Sequence, residues 1–184
     1  MSVRAKLADL LSVESMPQIP GLATPESFYL VTRLPAPLAG MSQPALTTPW
    51  EALFRLGLQR VVCLTKESPN YTANPLIATG HFPLQDLYGG IAPDNPKIEQ
   101  GLILQACEMI TSFINDGVGV VVHCVGGTGR TGTVIGCALR GLGYNSVEIL
   151  SYLDRLNRRR GARRGWPESK WQAELIKKYP DIQC

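Results

Sequence analysis

Apolar positions along the chain fall into two rhythms. Short, β-branched runs bounded by glycine or proline alternate with longer stretches in which apolar residues recur every three or four positions. Phe28-Tyr-Leu-Val-Thr-Arg-Leu reads as a first strand, Arg60-Val-Val-Cys-Leu as a buried one, His81 to Leu84 as a short one and Val118 to Val122 as another buried one. Helical spacing runs from Pro96 to Asn115, where Ile98, Leu102, Ala106, Met109 and Phe113 share a face until Asp116-Gly117. Thr131 to Leu142, Ser146 to about Arg158 and Glu168 to Lys178 follow the same period. A shorter helix is expected from Trp50 to Leu56, with Thr47 or Thr48 as its cap, Pro49 near its start and Gly57 at its end. Pro35 to Pro49 reads as an irregular loop, Thr65 to Thr79 as a loop with room for a short helix, and residues 1 to 25 as an N-terminal extension. Strands alternating with helices predict an α/β fold: one domain over residues 26–184, with a central, mostly parallel sheet and helices on both faces.

Composition narrows the setting. At 184 residues the chain is long enough for one substantial core. No apolar run approaches bilayer length and no cleavable leader is evident, so neither membrane insertion nor secretion is expected. A net charge of +3 is too mild to imply nucleic acid. The five cysteines lack metal-ligand spacing; Cys63, Cys107 and Cys137 fall on apolar patterns and read as core residues. A monomer that needs no metal or other cofactor is expected.

Chemistry concentrates at the end of the last strand. Val118 to Val122 runs into His123 and Cys124, then Val125-Gly-Gly-Thr-Gly and Arg130-Thr131. Gly126, Gly127 and Gly129 permit backbone dihedrals that turn successive N–H groups inward, which makes an anion-binding nest. The following helix aims its N-terminus at the same point. Arg130 supplies a planar fork that grips two phosphate oxygens at once. A cysteine at the base of such a cup is favoured as thiolate, the nucleophilic form. A thiolate nucleophile calls for reducing conditions, hence a cytoplasmic location. Gly127-x-Gly129-x-x-Gly132 also spells the dinucleotide fingerprint, but the second strand and acidic residue that fingerprint needs are replaced by a helical pattern from Ser146. No Gly-Lys-Ser/Thr supports a nucleotide phosphate loop. A glycine-rich turn holding a chance cysteine is the remaining structural alternative.

His123-Cys124-x5-Arg130-Thr131 resembles the signature of the cysteine-dependent protein tyrosine phosphatases, and its Gly-Gly-x-Gly-Arg filling most resembles the small dual-specificity branch. The resemblance implies a phosphatase working through a phospho-cysteine on Cys124. The phosphoryl group would be held by Arg130 and by the loop Val125, Gly126, Gly127, Thr128 and Gly129. Thr131 would donate its hydroxyl to the departing thiolate, and His123 would support Cys124 from behind. The family's general acid is an Asp upstream of the cysteine. Asp86, in Pro83-Leu-Gln-Asp86 before the flexible Tyr88-Gly-Gly, matches best; Asp94 is the alternative, although Asp94-Asn95-Pro96 reads as a helix cap. Trp166-Pro167-Glu168 resembles the Trp-Pro-Asp acid loop of larger members but follows the signature instead of preceding it. Glu168-Ser-x-x-Gln172 reads instead as the start of the last helix, with Gln172 either facing the site to position water or packing.

The substrate expected is a phosphorylated protein, phosphotyrosine with phosphoserine and phosphothreonine open, because Val125 and Thr128 are uncharged where inositol-lipid phosphatases of this superfamily tend to carry lysines. A small-molecule phosphatase and a catalytically weak phospho-binding module are the alternatives. Low-molecular-weight phosphatases and arsenate reductases share Cys-x5-Arg but place it near the N-terminus. Six arginines, Arg155, Arg158, Arg159, Arg160, Arg163 and Arg164, crowd the end of the Ser146 helix. They read either as a solvated helix end or as a docking surface for acidic partners, with Arg163 or Arg164 near substrate.

Overall fold

The computed structural model describes residues 10–161 and 165–180. Five strands form one sheet in the order β1-β2-β5-β3-β4: β1 (Phe28–Thr32), β2 (Leu38–Met41), β3 (Leu58–Cys63), β4 (Ile77–His81) and β5 (Gly119–His123). Only the β1–β2 pair is antiparallel. The expected single α/β domain with a mostly parallel sheet is the fold observed.

Strand alternation sorts the side chains between two cores. Val120 and Val122 of β5 face one side with Tyr29, Val31, Leu38 and Val62; Val121 faces the other with Phe28, Leu30, Ala39 and Val61. The first face is covered by α2 (Pro96–Asn115), α3 (Gly129–Gly141), α4 (Ser146–Arg159) and α5 (Lys170–Lys178). The second is covered by the short α1 (Trp50–Arg55) and by loop residues such as Tyr71, Ala73 and Leu76. α3 is buried along most of its length, and its Gly136 leaves room for Ile176 of α5, whose Cδ1 would lie 2.1 Å from a Cβ added there.

Three local expectations are corrected. β2 lies inside the stretch read as loop: prolines precede its four residues and Gly40 sits within it, so no strand pattern stands out, yet it pairs on both edges and is fully buried. The strand expected at His81 to Leu84 lies earlier, at Ile77–His81, because an edge strand facing solvent needs no apolar alternation. The chain after it stays extended, Phe82 N–H donating to the Cys63 carbonyl at 2.9 Å. α1 begins after Pro49 without a side-chain cap from Thr47 or Thr48. From Leu10 the segment read as an extension is laid on the domain: Leu10 bridges to Thr32, and Met16 and Ile19 are buried.

Candidate active site

β5 delivers His123 and Cys124 to the C-terminal edge of the parallel strands, where β2 and β3 end beside it: Met41 and Cys63 both pair with His123. The next residues cannot continue the sheet and fold into a tight loop that feeds α3 from Gly129. Cys124 is buried, and its Sγ accepts the Gly127 N–H at 3.2 Å.

The carbonyls of this loop are drawn outward. Gln43 N–H takes the Val125 carbonyl at 2.9 Å. The Tyr29 hydroxyl donates to the Gly127 carbonyl at 2.8 Å. Arg160, buried beneath the loop, donates to the Gly126 carbonyl at 3.0 Å, the Gly127 carbonyl at 2.9 Å and Thr128 Oγ1 at 3.1 Å. The same guanidinium also holds Asn157 Oδ1 and the Pro25 and Glu26 carbonyls, and stacks 4.5 Å over the Tyr29 ring. Within a peptide plane N–H and C=O point opposite ways, so fixing the carbonyls outside leaves the amides to face Cys124. Gly127 has φ +69°, and a Cβ there would fall 2.6 Å from the Met41 carbonyl, so glycine is required twice over.

His123 is buried behind the loop with its Nδ1 3.2 Å from the Cys124 carbonyl and its Nε2 bonded to the Tyr71 hydroxyl. A carbonyl only accepts, so Nδ1 carries the proton and Nε2 accepts from Tyr71; the ring is a neutral imidazole. Burial lowers its pKa to about 4. Thr131 is fully buried, and its hydroxyl has no hydrogen-bond partner, Cys124 included, among the described residues.

Arg130 is buried, with Nη1 near the Leu84 carbonyl and Nη2 paired with Asp86 Oδ2 at 2.8 Å. Asp86 reaches it from the loop after β4. That loop is pinned one residue earlier: both oxygens of the buried Glu99 accept the Gln85 N–H, at 3.0 and 3.2 Å. Asp94 donates its N–H to Gln85 Oε1 at 2.8 Å and its side chain is exposed, while Asn95 caps α2. Charged residues of both signs line an open groove of about 580 Å³ that leads away from Arg130: Glu67, Asp86, Asp94 and Glu99 against Lys66 and Arg130.

A family model described as the Swiss Army Knife protein, DSP-PTPase phosphatase domain, matches residues 28–171. The chain belongs to this family. Among solved structures this phosphatase domain is similar to Tk-PTP in its active form, at 25% identity and TM-score 0.57 over 78% of this chain and 91% of that one. Kinase associated phosphatase matches at 20% identity and TM-score 0.55, covering 79% and 85%. The core catalytic domain of the PP-IP phosphatase SIW14 from S. cerevisiae matches at 19% and 0.55, covering 78% and 81%. The enzyme class expected from the signature is thereby established: the domain is homologous to the cysteine-dependent dual-specificity protein tyrosine phosphatases.

Two parts of the phosphatase domain differ from the sequence reading. The arginine cluster is not one surface. Arg155 bonds Ser151, Arg158 pairs with Asp154 at 2.9 Å and Arg159 with Glu14 at 3.6 Å, all exposed, whereas Arg160 is withdrawn beneath the loop that follows Cys124. Arg163 and Arg164 lie outside the described residues. Glu168, set aside with its Trp-Pro-Glu segment, lies at the site: a Cβ on Gly129 would fall 1.6 Å from Glu168 Oε2. Trp166 packs against α3, its Nε1–H 3.4 Å from the Gly129 carbonyl. Gln172 is buried and its Oε1 accepts the N–H groups of Glu168 and Ser169 at 2.9 and 3.0 Å, completing the capping box of α5. The signal for Glu168 was its similarity to an acid loop, discounted because of chain order; the fold brings it to the site from the other side.

Proposed function

We propose that this domain hydrolyses phosphate monoesters of proteins, phosphotyrosine foremost, through a phospho-cysteine intermediate. The observation that carries the reading is the buried Cys124 accepting the Gly127 N–H, with Arg130 following on the first turn of α3. The loop amides and Arg130 bind three phosphoryl oxygens, the thiolate of Cys124 attacks phosphorus in line, and the leaving oxygen departs towards Asp86. Substrate takes over the guanidinium that Asp86 occupies, which frees the carboxyl for proton transfer. Water then cleaves the S–P bond, and the unpartnered Thr131 hydroxyl is available to stabilise the returning thiolate. His123 acts from behind by fixing the Cys124 carbonyl. A thiolate nucleophile and a reducing, cytoplasmic setting go together.

The acidic groove supports protein over inositol polyphosphate substrates. Beyond the phosphate held by Arg130, a polyanion meets Glu67, Asp86, Asp94 and Glu99, with Lys66 the one further basic side chain among the described residues that line the groove. The test is turnover of phosphotyrosine, phosphothreonine and inositol phosphates by the wild type, Cys124→Ser and Arg130→Lys. Peptide hydrolysis abolished by Cys124→Ser and largely lost in Arg130→Lys is expected. Full activity of the serine variant refutes the covalent mechanism, and preference for the inositol phosphates refutes the protein reading.

A further inference from the structure

A second carboxyl group, that of Glu168, lies against Gly129 and within electrostatic reach of Asp86. Glu168 follows Trp166 and Pro167, and the chain on either side of it is anchored to three helices. The Trp166 N–H donates to Asp154 of α4 at 3.1 Å, its indole lies against Gly129 and Gly132 of α3, and the Glu168 N–H is held by Gln172 of α5. The side chain is thereby laid over the first residue of α3, where the phosphate loop ends. The Glu168 carbonyl also lies 3.7 Å from where a Cβ on Gly90 would be, in the loop that carries Asp86.

The charged groups acting on Glu168 are Asp86, from the loop after β4, and Arg130, from α3. Arg130 is already paired with Asp86 at 2.8 Å. Burial, and then the neighbouring Asp86 charge, hold the Glu168 carboxyl above the usual range, with Arg130 opposing. Glu168, which has no ion pair with Arg130, is thereby the carboxyl of this site disposed to hold a proton.

We propose that Glu168 is a second acid–base residue of this site, able to supply the proton that the leaving group takes alongside Asp86. The proposal rests on the phosphatase reading above. In the first step the Cys124 thiolate forms the S–P bond as the P–O bond to the leaving group breaks, and the leaving oxygen takes the proton of the Glu168 carboxyl. In the second, water gives a proton to the Glu168 carboxylate as its oxygen bonds phosphorus. The P–S bond breaks, releasing inorganic phosphate and restoring the thiolate. Substrate that displaces Asp86 from Arg130 brings a second anion near Glu168, which strengthens its hold on the proton until the leaving group needs it.

The experiment compares an alkyl phosphate with p-nitrophenyl phosphate, whose leaving group needs little protonation, across pH. The full chain is used as wild type, Glu168→Gln, Glu168→Asp, Asp86→Asn and the double variant Asp86→Asn/Glu168→Gln. Glu168→Gln is expected to lower kcat on the alkyl phosphate about 10–10²-fold with a much smaller loss on p-nitrophenyl phosphate. Glu168→Asp should recover most of that loss. Asp86→Asn alone should keep a basic limb in its pH–rate profile, and the double variant should lose it. Wild-type rates and an unchanged profile in Glu168→Gln overturn the proposal while leaving the phosphatase reading intact. So does an equal loss on both substrates that Glu168→Asp does not recover, which marks a packing role. Failure of the wild type to turn over either substrate sinks the phosphatase reading and the proposal with it.

Discussion

Arg130 and Asp86, expected to act on opposite ends of a phosphate ester, are bound to each other at 2.8 Å. The arginine is buried and the aspartate half exposed, so the pair is tight on one side and open to water on the other. Any anion entering the loop competes with Asp86 for the guanidinium. Asp86→Asn removes that competitor. Since a partly exposed pair is worth about 0.4–1 kcal/mol, the inhibition constant of inorganic phosphate should fall about 2–5-fold in the variant. Inhibition titrations against an aryl phosphate at low salt measure this; an unchanged or higher constant contradicts it.

Arg160 and its neighbours separate by experiment. Arg160→Ala leaves loop carbonyls and Asn157 without their buried donor, and should cost about 2–4 kcal/mol of stability. It should also lower kcat on a small aryl phosphate, because the amides are no longer held inward. Arg158→Ala and Arg159→Ala, both on exposed pairs, should stay within about 0.5 kcal/mol and leave kcat unchanged. Denaturant titration alongside steady-state kinetics distinguishes the three.

His123 gives the fold a pH dependence of definite sign. The folded state disfavours the imidazolium, with a pKa of about 4, while an unfolded histidine titrates near 6.5. Between those values the unfolded chain binds the proton that the folded chain refuses, so stability falls as pH drops through this window. The full loss, about 3 kcal/mol, is reached below pH 4. His123→Asn should flatten that part of the curve, as seen by denaturant midpoints measured from pH 7.5 to 4.

Gly127→Ala should inactivate without a direct contact to substrate through its methyl group. The residue would be forced into a left-handed conformation and against the Met41 carbonyl and Arg160 Nη2. Loss of at least about tenfold in kcat/KM is expected, with a stability cost of about 1–3 kcal/mol; a variant that matches the wild type would mean the loop does not need this geometry.

What local pattern could disclose was disclosed: α2 has its expected bounds, Pro96–Asn115, since twenty residues of one period need no tertiary information. The loop from Cys124 to Arg130 was readable for a different reason, because its spacing matches a family signature and the chain belongs to that family. β2 was hidden because its identity depends on partners, Tyr29 on one side and Val121 on the other, and not on its own four residues. The same holds for Arg160, which looks from sequence like one more cation at a helix end, and for Glu168, whose place at the mouth of the loop depends on how α5 packs on α3.

Gly40 carries a consequence of its own. A Cβ there would fall 2.2 Å from Cζ of Tyr29, so the ring lies flat across the bare backbone of β2, and only in that pose does its hydroxyl reach the Gly127 carbonyl while its face underlies Arg160. Both loop supports therefore hang on a hydrogen atom in a fully buried strand. A methyl group at this position would act as a remote off-switch, and a search for inactivating changes confined to the mouth of the cleft would pass over it.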